Sequence, residues 1–153
     1  MVARVQEGPF DPARELEGFG AGAGAVVTFT GLVRDDSGQM QALEIEHYPG
    51  MTQRLLNDYG DRAVARFGLG DWLILHRYGR LAVGQPIMMV ATASRHRRAA
   101  FDGADFLMDW LKSRAPFWKR EIGPDGTGQW VAAKESDERS LSGPACGGAW
   151  PTP

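Results

Sequence analysis

A long helical pattern that ends at a proline constrains this chain more than any other segment. The pattern covers residues 95–113 and carries four apolar residues at the spacing of a buried helical stripe: Phe101, Ala104, Met108 and Leu111. Pro116 favours extended geometry in the residue before it, so the helix must end by then. Residues 117–122 then have the pattern of a strand. We therefore expect a sharp turn from a packed helix into a sheet.

Two of the three lysines in the chain stand on either side of this turn. Lys112 and Lys119 are seven residues apart, and the third is Lys134, whereas all other residues among the 17 basic ones are arginines. A crowded or buried lysine can lose its proton, whereas arginine stays charged and clamps anions. Considered separately, Lys112 would pair with Asp109 at the helix surface and Lys119 would be an exposed strand residue. Together at one turn, they predict an active site for an anionic substrate.

Charge is distributed unevenly along the sequence. The net charge is −2, but residues 95–120 carry +4 and the remainder −6. A cationic patch on an acidic body suits a small anion better than nucleic acid. No apolar run is long enough to span a bilayer, and the first residues lack the apolar core of a signal peptide. We expect a cytoplasmic protein with neither nucleic acid nor membrane as a partner.

Neither a metal nor a bound cofactor is expected. Cys146 is the single cysteine, and the histidine spacing suggests no metal site. His47 and His76 lie in predicted strands, where histidines are usually packed and hydrogen-bonded rather than catalytic. The glycine-rich run at residues 20–25 fits a loose G-x-G-x-x-A pattern. It precedes a strand, however, whereas a dinucleotide fingerprint follows a strand and opens a helix, so we interpret it as a loop.

Strand and helix patterns alternate along the rest of the chain. Alternating or β-branched segments predict strands at residues 2–6, 25–33, 42–48, 72–78, 87–93, 117–122 and 129–133. Amphipathic segments predict helices at residues 12–16, 52–67 and 95–113. The strands at 25–33 and 42–48 are expected to form a hairpin, and so are those at 72–78 and 87–93, around a turn region at 79–86. Ser94 is expected to cap the long helix. Hairpins mixed with helices predict an α+β fold with a largely antiparallel sheet and flanking helices.

The domain organisation follows from composition. Residues 1–138 are expected to form a single domain. Residues 139–153 are rich in Gly, Pro and Ser and predict a flexible tail.

Several arginines and one histidine are candidates for anion binding. His96 and Arg97 stand at the predicted start of the long helix, where unpaired backbone N–H groups and the helix dipole favour an anion. The alternative is a pair of solvated helix-start residues, because the same dipole slightly disfavours cations there. Arg34, just inside a turn after a strand, is a weaker candidate of the same type. Arg114, between the lysines, is either a clamp or a surface residue.

Four motifs resemble the large, catalytic subunit of molybdopterin synthase. They are AVVTFTGLVR at residues 25–34, LEIEHYPGM at 43–51, S-x-HR at 94–97 and LKSRAPFWKRE at 111–121. The similarity runs in the same order from about residue 24 to residue 137, and the last motif is close to diagnostic. The resemblance implies an α/β-hammerhead fold.

The resemblance also implies partners and a reaction. In this family the large subunit forms a homodimer within a heterotetramer. Each large subunit binds a small ubiquitin-like sulfur carrier whose C-terminal Gly-Gly bears a thiocarboxylate. The carrier gives its sulfur to cyclic pyranopterin monophosphate, and two transfers form the dithiolene of molybdopterin. This chain would therefore be a sulfurtransferase of molybdenum cofactor biosynthesis.

Matching positions carry the family roles onto this sequence. Lys119 and Lys112 would be the catalytic residues. Four further residues would bind the phosphate and pterin of the substrate: Arg34, His96, Arg97 and Arg114. A binding domain without turnover is the rival interpretation, and the intact lysine pair argues against it. Nucleic-acid binding is a second rival, which the acidic body disfavours.

Overall fold

The computed structural model describes residues 1–130. Its elements, in chain order, are β1 (Val2–Gln6), α1 (Pro12–Glu15), β2 (Ala25–Leu32), β3 (Ala42–His47), α2 (Met51–Phe67), β4 (Asp71–Arg77), β5 (Gly79–Leu81), β6 (Pro86–Ser94), α3 (Arg97–Ser113), β7 (Phe117–Ile122) and β8 (Gly128–Trp130). The predicted boundary at residue 138 and the tail at 139–153 lie outside the described residues, so the single-domain organisation stays a prediction.

The strands form two four-stranded sheets. Sheet A has the order β1-β4-β6-β2, and sheet B has the order β5-β3-β7-β8. Among the described strand pairs, β1 and β4 are parallel and the others are antiparallel. The predicted α+β fold with a largely antiparallel sheet is confirmed. No helix between residues 1 and 130 is long and apolar enough to cross a membrane.

The predicted hairpin between β2 and β3 is wrong. β2 pairs with β6 at the edge of sheet A, whereas β3 lies between β5 and β7 in sheet B. The carboxylate of Asp35 accepts hydrogen bonds from the backbone N–H groups of Ser37, Gly38 and Met40. These bonds fold the connection between β2 and β3 into a loop around Asp35. Val33 and Met40 are buried at the two ends of that loop. The loop therefore anchors in the core and directs the chain into the second sheet.

The predicted pairing of β4 with β6 is correct, but the connection between them holds a further strand. The connecting region, 79–86, was predicted as a turn, and it contains β5, which pairs with β3 in sheet B. Gly79 begins that strand at a φ of 81°, a conformation that glycine adopts at little cost. The chain therefore crosses from sheet A to sheet B directly after β4.

Both faces of sheet A are covered. Alternate strand residues point to opposite faces, so Trp72 and Ile74 face α2 and α3 while Leu73 and Leu75 face away from them. On the second face, three apolar side chains from the segment around α1 pack against the sheet: Phe10, Leu16 and Phe19. The inner face of sheet B, to which Ile45 belongs, contributes to the same hydrophobic core as Trp72 and Ile74.

The N-terminal cap of α3 differs from the prediction. His96, with extended backbone angles (φ −126°, ψ 140°), is the N-cap, and the helix begins at Arg97. Ser94 belongs to the end of β6, and its hydroxyl donates to the carbonyl oxygen of Gly68 at 3.4 Å. Pairing with β2 keeps residue 94 in the sheet, so the helix starts later than the cap pattern suggested.

The buried stripe of α3 is also rotated from its predicted position. Ala104 and Leu111 are buried as expected, but Phe101 is 59% exposed and Met108 is only half-buried. The other buried residues of this helix are Ala100, Gly103, Phe106, Leu107, Asp109 and Trp110. Apolar spacing located the helix but misjudged which side meets the sheet, since small residues such as glycine also lie on that side.

Candidate functional site

The turn between α3 and β7 holds both predicted catalytic lysines. Lys112 lies in the last turn of α3 and is exposed. Arg114 ends the helix, with its backbone N–H donating to the carbonyl oxygen of Trp110 at 2.8 Å, and its side chain is exposed. Lys119 is half-buried in β7, where it pairs with Ile45 of β3. The two lysines thus flank one turn but differ in their access to solvent.

Two histidines lie beside the residue that begins β7. Phe117 and Lys119 point to the same face of the strand because side chains alternate. The ring of His76 stacks on that of Phe117, with centroids 3.7 Å apart and planes 14° apart. His47, opposite Phe117 in β3, has its ring centroid 6.1 Å from the same ring. A cluster of one buried and two half-buried aromatic rings therefore supports the strand that carries Lys119.

Lys119 acts electrostatically on His76. Burial, and after it the positive charge of Lys119, lowers the pKa of His76 to about 3. Its Nδ1 lies 2.8 Å from the carbonyl oxygen of Arg77. Because a carbonyl oxygen only accepts, Nδ1 carries the proton and Nε2 carries the lone pair. His76 is thus neutral at pH 7, and it is packed and hydrogen-bonded as its place in a strand predicts.

Arg34 lies at the same end of sheet A as this cluster. It follows the end of β2, where Gly31 pairs with Met88, and Met88 also pairs with His76. The exposed guanidinium holds Asp36 through two contacts, Nε to Oδ1 at 2.6 Å and Nη2 to Oδ2 at 2.9 Å. An anionic ligand would therefore compete with Asp36 for Arg34.

His96 and Arg97 lie at the opposite end of sheet A. They follow Ser94, which pairs with the first residue of β2, and both are exposed. The eight residues of β2 span about 23 Å. The 17 residues of α3 span about 24 Å on the way to the lysine turn. Within one chain the structure therefore does not bring these two residues together with the other predicted site residues.

Sequence reasoning missed the outer face of β7. Arg120 and Glu44 form an ion pair there, with Nη2 2.5 Å from Oε2. The exposed rings of Tyr48 and Trp118 meet edge to face, with centroids 4.8 Å apart. Strand alternation separates these residues from Lys119, so this face lies behind the lysine and not around it.

Metal binding finds no support in the described part of the chain. Between residues 1 and 130, no three His, Cys, Asp or Glu side chains are grouped so that they could hold a metal ion. Cys146 lies outside that range.

Comparison with known proteins identifies the family. The family model described as MoaE protein matches residues 5–114. The molybdopterin synthase catalytic subunit of Cereibacter sphaeroides is 57% identical over 144 residues, covering 92% of this chain and 98% of that protein. The chain belongs to the MoaE protein family. Its function is that of a molybdopterin synthase catalytic subunit, an enzyme subunit in molybdenum cofactor biosynthesis that takes part in the sulfur transfer forming the dithiolene.

Solved MoaE structures have the same fold. The MoaE protein of Burkholderia ambifaria is 42% identical and superimposes with a TM-score of 0.78, covering 92% of this chain and 95% of that one. Molybdopterin synthase from Staphylococcus aureus is 30% identical with a TM-score of 0.76, covering 84% and 95%. The fold class implied by the resemblance to the catalytic subunit of molybdopterin synthase is thereby confirmed.

Proposed function

We propose that this chain transfers sulfur from the C-terminal thiocarboxylate of a small ubiquitin-like carrier to cyclic pyranopterin monophosphate, with Lys119 and Lys112 as the catalytic residues. One observation carries the assignment of the site. A half-buried lysine and an exposed lysine flank a single turn. Arg34 lies at the end of sheet A that holds His76, whose ring stacks on the first residue of the strand that carries Lys119. That arrangement suits an anionic substrate and a reaction that develops negative charge.

Lys119 is the residue assigned to the sulfur transfer itself. Its half-buried position removes part of its hydration, which strengthens its interaction with charge developing nearby. An ammonium there can stabilise negative charge at the thiocarboxylate carbon and on the pterin, or donate a proton. Formation of a covalent intermediate at this lysine is a further route within the same proposal.

Lys112 and the arginines are assigned to the substrate phosphate. Lys112 is exposed at the end of α3, where it can orient the cyclic phosphate or assist its opening. Arg34 and Arg114 supply guanidinium groups, which bind phosphate oxygens through two parallel hydrogen bonds. Arg34 would exchange its ion pair with Asp36 for the substrate.

His96 and Arg97 are assigned to the site through a second copy of the chain. They follow the residue that pairs with the start of β2, whereas Arg34 follows its end, and the strand between spans about 23 Å, too far for one small ligand within a single protomer. β2 is an edge strand with Val26, Phe29 and Leu32 exposed, a surface suited to contact between copies. In a two-fold dimer each surface occurs twice, so a partner protomer can complete each site.

The proposed assembly is a heterotetramer of two such chains and two carriers. The similar structure from Staphylococcus aureus is that of a molybdopterin synthase, which supports an enzyme of this type. We also propose that residues 1–138 act as one domain. A cytoplasmic location completes the proposal, and the single cysteine of the sequence supports it.

A single-turnover assay tests the proposed function. It combines this protein, a thiocarboxylated carrier and cyclic pyranopterin monophosphate, and measures dithiolene product. Lys119→Ala should lose product formation by roughly a hundredfold or more while carrier binding persists. Lys112→Ala should lose it less severely. Arg54→Ala removes an exposed cation of α2 and serves as the matched control with wild-type turnover.

The rival interpretation has a distinct outcome in the same assay. A folded wild-type chain that binds carrier but forms no dithiolene would establish a binding module without turnover. Wild-type turnover in Lys119→Ala would remove this lysine from the chemistry and leave the family function in place.

A further inference from the structure

Arg77 is a buried cation for which the proposed reaction has no direct role. It is the last residue of β4 and is 5% exposed. Burial of a charged group is costly unless hydrogen bonds replace its contacts with water. The guanidinium donates to the carbonyl oxygen of Glu7 through Nε and Nη2, both at 3.1 Å. Its Nη1 donates to the side-chain oxygen of Gln85 at 3.3 Å and to the carbonyl oxygen of Pro86 at 3.2 Å. Arg77 therefore ties the end of β4 to the start of β6.

The loop between β5 and β6, residues 82–85, is closed by the side chain of Gln85. We call these four residues the clamp loop. Oε1 of Gln85 accepts hydrogen bonds from Arg77 and from the backbone N–H of Ala82, the latter at 3.2 Å. The backbone N–H of Gln85 donates to the carbonyl oxygen of Ala82, also at 3.2 Å. Because an amide oxygen accepts two hydrogen bonds, this one atom closes the clamp loop and attaches it to the buried arginine.

The clamp loop holds both backbone groups of Val33. The N–H of Val33 donates to the carbonyl oxygen of Gln85 at 2.9 Å, and the N–H of Gly84 donates to the carbonyl oxygen of Val33 at 2.8 Å. The pairing of β2 with β6 shifts register between Gly31 and Leu32, so the regular ladder does not fix the chain beyond that point. Val33, which is 2% exposed, is instead held by the clamp loop and by packing in the core.

Arg34 follows directly after this anchored residue. Its side chain is 73% exposed, so packing does little to fix the direction of its guanidinium. On its other side, the carboxylate of Asp35 accepts three backbone N–H groups of the loop that follows. Arg34 therefore lies between two anchored residues, and its backbone sets the direction of its side chain. Binding a phosphate through two parallel hydrogen bonds requires such a defined direction.

We propose that Arg77 and Gln85 are positioning residues for Arg34: they hold the clamp loop against Val33, and this directs the guanidinium of Arg34 toward the phosphate of the substrate. The inference rests on the proposed function in treating Arg34 as a phosphate-binding residue. It adds a determinant from the connection between two strands that sequence reasoning treated as a turn.

Binding of cyclic pyranopterin monophosphate tests the inference. The full chain is combined with a carrier that lacks the thiocarboxylate, so that no turnover occurs, and Kd is measured by calorimetry. Gln85→Leu removes Oε1 from an exposed residue and should raise Kd about fivefold, because a misdirected guanidinium loses part of a bidentate contact. The single-turnover rate at saturating substrate should stay within about twofold of wild type, since Arg34 contributes to binding and not to the chemical step.

Two further glutamine variants are matched controls. Gln53→Leu makes the same chemical change in α2, where the amide donates to the carbonyl oxygen of Ala3 in β1, on the opposite edge of sheet A from β2. It should leave Kd unchanged. Gln85→Glu keeps an oxygen that accepts from both Arg77 and Ala82, so its Kd should stay within about twofold of wild type.

A double-mutant cycle shows whether Gln85 acts through Arg34. Arg34→Ala by itself should raise Kd by roughly tenfold or more. Adding Gln85→Leu to Arg34→Ala should raise it no further, because the residue that is positioned has been removed. The same fivefold increase in both backgrounds would overturn the inference. Arg77→Lys should behave as Gln85→Leu does in both backgrounds, since lysine lacks the fork that reaches several oxygens, and a wild-type Kd would remove Arg77 from the positioning role.

A glycine pair changes the clamp loop through its backbone alone. Gly84 has a φ of 84° and Gly18 a φ of 74°, and an added Cβ meets open space at both positions. Alanine is strained at either φ. Gly84→Ala should raise Kd, whereas Gly18→Ala, in the segment after α1, should not. Equal values of Kd in the two variants would overturn the inference.

Hydrogen exchange at the amide of Val33 provides a readout that does not depend on the substrate. Exchange at this amide should become about tenfold faster in Gln85→Leu and stay at the wild-type rate in Gln53→Leu. An unchanged rate in Gln85→Leu would overturn the inference. A wild-type Kd in Arg34→Ala has a different meaning: it would overturn the role of Arg34 in the proposed function, while exchange at Val33 would still decide whether the clamp loop holds this segment.

Discussion

The ring of His76 lies on the ring of Phe117, with centroids 3.7 Å apart and planes 14° apart. His76 belongs to β4 of sheet A, and Phe117 to β7 of sheet B. This stacked pair therefore joins the two sheets at the point where the lysine-bearing strand begins. Because the ring is buried and neutral, the stability of the fold and the environment of Lys119 depend on the same side chain.

The stability of the protein should fall as the pH is lowered from 6.5 to 4.5. The pKa of His76 is about 3 in the folded chain against an ordinary value of 6.5. In this window the unfolded chain binds a proton that the folded chain does not, so folding is favoured at the higher pH. This group should reduce the free energy of unfolding by up to roughly 1.4 kcal/mol per pH unit. Urea denaturation at several pH values measures the slope.

His76→Phe provides the comparison for that slope. The variant should lose most of the pH dependence between 6.5 and 4.5. Burial also lowers the pKa of His47, so a smaller dependence of the same sign should remain. The same slope in the variant and the wild type would contradict the assignment to His76.

Replacing Arg77 by lysine should destabilise the fold by about 2 kcal/mol. Arg77 is 5% exposed, and its guanidinium donates to the carbonyl oxygens of Glu7 at 3.1 Å and Pro86 at 3.2 Å. Lysine keeps the charge but lacks the planar fork that reaches both carbonyls. Arg80→Lys, at an exposed position three residues later, should change stability by less than about 0.5 kcal/mol. Urea denaturation measures the free energy of unfolding of both variants. Equal values for Arg77→Lys and Arg80→Lys would contradict the prediction.

The sequence predicted where helices and strands lie more reliably than which strands pair. β2 and β3 both carry clear strand patterns, yet alternation along a strand does not say which sheet it joins. Val33 and Met40, the buried ends of the loop between β2 and β3, anchor that loop in the core and direct β3 into sheet B. The stripe of α3 was misjudged for a related reason, because a small residue such as Gly103 lies on its buried face.

The site shows the same limit. The lysine pair was predicted because both members lie within one short segment, and a turn brings such residues to one region. His76 precedes Phe117 by some forty residues, and nothing local in the sequence connects them. Its contact with the lysine strand arises from the packing of one sheet on the other. The separation of His96 from Arg34 is likewise a consequence of strand register.

Gly60→Ala should destabilise the protein by about 1–3 kcal/mol. Alanine normally stabilises an exposed helix position by about 1 kcal/mol relative to glycine. At Gly60, in α2, an added Cβ would fall on the indole ring of Trp72, which is 2% exposed and has no room to move. Gly8→Ala, where a Cβ meets open space, should be neutral within about 0.5 kcal/mol. Thermal unfolding of the two variants measures the difference, and a stabilised Gly60→Ala would refute the close packing of α2 on sheet A.

Mixing two inactive variants should restore activity if each site draws on two copies of the chain. Arg34 follows the end of β2, whereas Arg97 follows Ser94, which pairs with the first residue of that strand, and β2 spans about 23 Å. In a dimer of Arg34→Ala with Arg97→Ala, one site then combines both lesions and the other contains neither. Random exchange makes half of the dimers mixed, so about a quarter of all sites should be intact. Dithiolene formation by the mixture should therefore approach a quarter of the wild-type amount, although each variant by itself is nearly inactive.

The control mixes Arg34→Ala with Arg34→Lys. No site with an intact Arg34 can form in that mixture, so mixing by itself should restore no activity. If both residues acted within one protomer, every site of the mixed dimer would carry one lesion, and the mixture would stay as inactive as its components.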